Sequence, residues 1–149
     1  MNKAVAEKTI HSRKIGRSIL ALLAGFIVNV VLSLATDFGL QAAGILPALG
    51  HGPMSDFQSA LAAAYRTLFG VVSSYIVARL APYRPLEHAL TGAAIGMVLA
   101  TVGAVATWNK ALGPHWYPLS LIVLALPSGW AGAKLWMTQA LKGKDFPAQ

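Results

Sequence analysis

The chain has 149 residues, 56% of them hydrophobic and 11% charged, with no cysteine and a formal net charge of +7. The charged fraction is less than half of the roughly 25% found in ordinary soluble domains, and the lack of cysteine excludes disulfides, thiolate nucleophiles and cysteine metal sites. A basic balance in a soluble chain would suggest nucleic acid, but here the placement of the charges points to the cytoplasmic leaflet of a membrane.

Residues 1–16 are polar and basic. Val5, Ile10 and Ile15 give a weak amphipathic pattern, compatible with a helix on an anionic inner leaflet or with a frayed tail. A first apolar segment follows, about 17–40, and residues 18–36 carry no charge. The basic N-terminus, the apolar run at 19–32 and the small residues Ser33 and Ala35 also fit a cleavable signal peptide, which would leave three spans. Against this, Asn29 interrupts the run and apolar character resumes at Phe38, Leu40, Ile45 and Leu46. The Gly- and Pro-rich stretch 44–53 reads as an outer loop. Ser55 and Asp56 offer a helix cap for a second segment, about 57–80, in which Arg66 is the single charge between residues 57 and 78.

Ala81-Pro82 ends that helix, because proline lacks the donor N–H and disfavours a helical residue before it. Pro85 suits the first turn of a third segment, about 86–107. Trp108, Trp116 and Tyr117 flank the second outer loop as an interfacial aromatic belt would. The fourth segment, about 116–138, tolerates Pro118 in its first turn. Pro127 is expected to kink it and free the carbonyl near Val123. Residues 139–149 read as a short tail, and no internal repeat supports an inverted-repeat transporter. Crossing a ~30 Å hydrocarbon core takes about 20 apolar residues. The expected fold is therefore all-α: a single domain of four transmembrane helices in a compact bundle.

Orientation follows from Lys and Arg. Lys3, Lys8, Arg13, Lys14 and Arg17 precede the first segment, Arg79 and Arg84 lie between the second and third, and Lys134, Lys142 and Lys144 close the fourth. Residues 37–56 hold no Lys or Arg, and 108–115 hold only Lys110. Excess Lys and Arg marks the cytoplasmic side, so both termini are expected inside. A multi-pass protein of a cell inner membrane is the expected localisation.

Within the segments, polar and small residues recur at helical spacing. Gly25, Asn29, Ser33, Asp37 and Gln41 fall at intervals of four on one face. Ser59, Ala62, Arg66, Gly70 and Ser73 form a similar face on the second segment. Polar groups in hydrocarbon need partners and face the bundle interior, so the two faces are expected to meet. Asn29, Ser33, Asp37, Arg66 and Ser73 form the candidate intramembrane cluster. Counting from Arg17 and Arg79, Asp37 and Arg66 differ in depth by roughly 10 Å at 1.5 Å per residue. Helix tilt and the long Arg side chain can close such a gap, giving an Arg66–Asp37 pair. The alternative is Arg66 snorkelling to the outer headgroups, with Asp56 a weaker partner. Gly92, Gly96 and Ala100 form a candidate packing ridge. It is expected to pack internally on Ser128, Gly129, Gly132 and Ala133 before it serves any dimer.

His11, His51, His88 and His115 have no metal-ligand spacing. Glu87 and His88 are adjacent and read as a solvated interfacial pair. Ser73-Ser74 has no nucleophile-elbow pattern. Phosphate loops and nucleic-acid motifs are absent. No catalytic, cofactor-binding or metal residue is therefore assigned, and no enzyme, cofactor or nucleic-acid partner is expected.

The stretches AYRTLFGVVSSYIVARLAPYRPLEHAL at 63–90 and VGAVATWNKALGPHWYPLSLIVLALPSGWAGAKL at 102–135 resemble a family of small bacterial integral membrane proteins of unknown function. Tyr65-Arg66, Ala81-Pro82 with Arg84-Pro85, and Gly-Pro-His-Trp-Tyr-Pro at 113–118 carry the likeness. It implies a four-span bacterial membrane protein and no catalytic residues. The expected role is a non-enzymatic structural, accessory or interaction component. Its partners would be the lipid bilayer and a homo-oligomer or another membrane protein. The alternative is an oligomeric small-solute or ion transporter or channel using the polar face of the first two segments.

Overall fold

A computed structural model describes residues 3–48 and 52–145. Those residues form four helices and no strand: α1 Lys3–Ala42, α2 Asp56–Leu80, α3 Pro85–Thr107 and α4 Trp116–Asp145. Each holds a stretch long and apolar enough to cross a membrane: Ile15–Ala42, Asp56–Leu80, Pro85–Thr107 and Trp116–Lys142. The bounds expected for the second and third segments hold within a residue. The first and fourth run longer, because nothing stops them: residues 3–15 contain neither Pro nor Gly, and Lys, Glu, Ala and Arg propagate a helix well. The basic N-terminal segment is thus the first part of α1. The side chains of Val5, Ile10 and His11, and all of His51 and residues 146–149, lie outside the described residues. α4 also continues through Pro127 as one helix.

α2 is the hub. It packs most extensively on α4 and then on α1, and also touches α3, while α3 packs on α4. α1 and α3 barely touch, and among the described residues α1 and α4 are not in contact. The helices therefore run around the bundle in the order α1, α2, α4, α3, with a weak seam where α3 should close on α1. The buried residues are small: Ala21, Ala62, Ala63, Ala78, Ala89, Ala104, Ala133, Ser59, Ser74 and Ser128, with Val77 and Leu46. Large apolar side chains point outward, such as Leu20, Phe57, Val105 and Val123. This inversion suits lipid, where burying leucine gains little and close backbone approach drives helix association.

Side-chain contacts gather the loops at two ends. At one, His88 Nε2 lies 2.9 Å from Ser18 Oγ, the Tyr75 hydroxyl donates to Gln139 Oε1 at 2.6 Å, and Arg79 lies over the Trp136 ring. Arg84 at this end pairs with Glu87 at 3.1 Å. His88 thus joins α3 to α1 instead of forming a solvated pair with Glu87. At the other end, Trp116 Nε1 donates to Asp56 Oδ1 at 2.8 Å, and Met54 N donates to the Leu112 carbonyl at 2.9 Å. Asp56 therefore serves α4 rather than Arg66.

α2 begins with a capping box. Ser55 Oγ accepts from Gln58 N at 3.3 Å, and Gln58 Oε1 accepts from Ser55 N at 2.9 Å. Gln58 Nε2 also donates to the Ile45 carbonyl at 2.7 Å, which docks the preceding loop. Ser55→Ala is expected to cost about 1 kcal/mol of local stability. Hydrogen exchange at the first amides of α2 should then quicken about fivefold. Unchanged exchange would mean that the cap contributes nothing.

Candidate functional site

The candidate cluster is built where α1 and α2 run antiparallel. Asp37, near the C-terminal end of α1, receives two donors from consecutive residues of α2. The Tyr65 hydroxyl donates to Asp37 Oδ1, and Arg66 Nη2 donates to Oδ2 at 2.6 Å. Neighbours in a helix point about 100° apart, so Tyr65 and Arg66 straddle the carboxylate and take one oxygen each. Phe69 lies beside the Tyr65 ring, with centroids 5.6 Å apart. Arg66 therefore forms an ion pair with Asp37 within the bundle.

Twelve residues further toward the basic end of α1, the polar faces meet again. Ser73 Oγ donates to the Gly25 carbonyl at 2.8 Å. A Cβ on Gly25 would lie 3.1 Å from the Ser73 carbonyl oxygen and would collide with Val77, so glycine is required for this approach. From Gly25 to Asp37 is roughly 18 Å along α1, whereas from Ser73 to Arg66 is roughly 10 Å along α2, at 1.5 Å per residue. The long Arg66 and Tyr65 side chains span the difference.

Beside these contacts lies a cavity of about 470 Å³ bordered by all four helices. Asn29 and Ser33 of α1 border it, with Arg66, Thr67, Gly70 and Ser73 of α2. Its far walls are α3, through Gly92, Gly96 and Ala100, and α4, through Leu121, Leu124 and Ser128. All five residues of the candidate cluster are thereby located: Asp37 holds Arg66 beside this space, and Asn29, Ser33 and Ser73 line it. Asn29 Oδ1 and Arg66 Nε are both buried without a hydrogen-bond partner.

The ridge residues have a different setting from the expected one. Gly92 faces Leu22 of α1, at 3.3 Å from its ideal Cβ position, and Gly96 faces open space. The small face of α4 instead meets α2 and the neighbouring stripe of α3: Gly132 sits on the α2 backbone, and Gly129 sits against Ala93. Reasoning from sequence missed Tyr65 and Tyr117. The Tyr117 hydroxyl is buried without a hydrogen-bond partner. A tyrosine next to an intramembrane arginine was the available signal for the first. A tyrosine opening a helix reads only as an interface residue.

Among the described residues, no three His, Cys, Asp or Glu side chains are grouped to hold a metal ion. No protein-family model, curated protein or solved structure matches the chain.

Proposed function

We propose that this chain is a non-enzymatic accessory or interaction component of a bacterial inner membrane, with both termini in the cytoplasm. The observation that carries this reading is the use made of Asp37. Both of its oxygens are taken by α2, so the intramembrane charges act as a joint between helices. The orientation rests on charge: Arg17, Arg79, Arg84, Lys134 and Lys142 gather toward the end that would face the cytoplasm, and Lys110 is the one Lys or Arg in the loops opposite.

A second reading, an oligomeric transporter or channel, is favoured by the cavity beside Asn29, Ser33 and Arg66. The two readings separate in proteoliposomes. Purified protein is expected to give no sodium, potassium or proton flux above empty vesicles. A reproducible flux abolished by Asp37→Asn would overturn the accessory reading. The orientation is tested separately by reporter fusions at both ends and in each loop. The expected pattern is inside, outside, inside, outside, inside along the chain, and either terminus outside would contradict it.

A further inference from the structure

We infer that the cavity between α1 and α3 is a binding site for an uncharged, lipid-soluble molecule with a small hydrogen-bonding head and an apolar chain. This goes beyond the accessory role and does not depend on it.

The route in is lateral. α1 and α3 form the weakest contact of the bundle, and the cavity lies behind that seam. Leu23 and Phe26 on α1, and Ile95 and Leu99 on α3, border the cavity while remaining about half exposed. They form two apolar lips facing the surrounding lipid. Gly96 widens the passage, since nothing lies within 4 Å of its ideal Cβ position. The volume, about 470 Å³, falls within the roughly 300–1,000 Å³ of small-molecule sites. Such sites are mostly apolar with a few convergent polar groups, and here Leu22, Leu121 and Leu124 complete an apolar wall.

The polar groups define the head of the ligand. Asn29 and Arg66 border the same space, and each holds a buried polar atom with no hydrogen-bond partner, Oδ1 and Nε. Buried unpaired groups of this kind are uncommon and costly. Small movements of these two side chains would let Asn29 Oδ1 accept from a ligand hydroxyl while the Arg66 Nε–H donates to that hydroxyl's oxygen. Charge sets the remaining limit. Asp37 already neutralises Arg66. An anionic head would put a second carboxylate or phosphate beside Asp37 in a low-dielectric site, where like charges disfavour one another. A cationic head would meet Arg66. A neutral hydroxyl meets neither penalty, and unlike a carbonyl it can donate to Asn29 Oδ1 and accept from Arg66 Nε. A phospholipid is disfavoured for the further reason that its charged head would have to leave the interface.

The test uses full-length protein in lipid nanodiscs and a diazirine-bearing octanol as probe, with adducts mapped by peptide mass spectrometry. Labelling is expected to concentrate on the cavity walls around Phe26, Ile95 and Leu99. Excess decanol should suppress it at least fivefold, 2-decanone, which cannot donate to Asn29 Oδ1, should do so less, and decane should not. Gly96→Leu fills the space and should abolish the concentrated labelling, while Gly103→Leu, at an equally open position outside the cavity, should leave it intact. Asn29→Leu removes the amide and should weaken alcohol competition without closing the space, which keeps the test decisive if Gly96→Leu fails to fold. Labelling spread evenly over lipid-facing residues, or equal labelling of wild type and Gly96→Leu, would overturn the site. Stronger competition by decanoate than by decanol would overturn the neutral head. Neither outcome bears on flux or topology, so failure here is distinguishable from failure of the accessory reading.

Discussion

Arg66→Leu is expected to destabilise the folded protein by about 2 kcal/mol, below the roughly 3–5 kcal/mol for breaking a fully buried ion pair, because Arg66 and Asp37 are only part-buried. The loss arises because Asp37 then keeps Tyr65 but has no cation. It is limited because an orphaned carboxylate in such a site can take up a proton. Asp37→Asn should cost a comparable amount, since it leaves a guanidinium among apolar helices and weakens the acceptor for Tyr65. Combining the two should recover at least ~1 kcal/mol of the summed loss, because neither charge then remains to be orphaned. Reversible unfolding of the four proteins in one detergent gives the cycle. Additivity within about 0.5 kcal/mol would show that the pair contributes no coupling.

Gly132→Ala is expected to cost about 2–3 kcal/mol, in the range for overpacking a tight interior. A Cβ there would collide with the Val71 carbonyl oxygen and lie 2.7 Å from Tyr75 N and 2.8 Å from Ser74 Cβ. Two of these three are backbone atoms that no rotamer change can move, so α4 would have to withdraw from α2, its most extensive partner. The helix propensity gained by replacing glycine, at most about 1 kcal/mol, is too small to compensate. Gly103→Ala is the matched control, because nothing lies within 4 Å of its ideal Cβ. It should be neutral or slightly stabilising. Equal effects at the two positions would mean that α2 and α4 are not in close backbone contact.

What could be read from the chain divides along physical lines. The four apolar segments and the bounds of α2 and α3 were legible because each rests on local chemistry: a charge-free run, a Ser cap, and prolines at 82 and 85. The far ends of α1 and α4 were not, because hydropathy marks where lipid ends and not where a helix ends. The polar stripes of α1 and α2 were visible through their spacing. Whether Arg66 met Asp37 or reached the headgroups was open, since spacing says nothing about helix tilt or side-chain reach. That Tyr65 shares the carboxylate was open for the same reason. The cavity depends on a choice between two small-residue stripes of α3. α4 takes the one containing Ala89 and Ala93, which leaves Gly92 against Leu22 of α1 and Gly96 facing open space. Both stripes look alike in sequence.

The joint between α1 and α2 can be measured directly in bilayers. Solid-state NMR on protein labelled with ¹⁵N at the Arg66 guanidinium and ¹³C at the Asp37 carboxyl reports their dipolar coupling. The Nη2–Oδ2 contact of 2.6 Å predicts a measurable coupling. Arg66→Lys, which lacks the planar fork, should weaken the joint and change the carboxyl shift. The absence of coupling in wild-type protein, with the guanidinium instead close to lipid phosphorus, would place Arg66 at the headgroups and contradict an intramembrane ion pair.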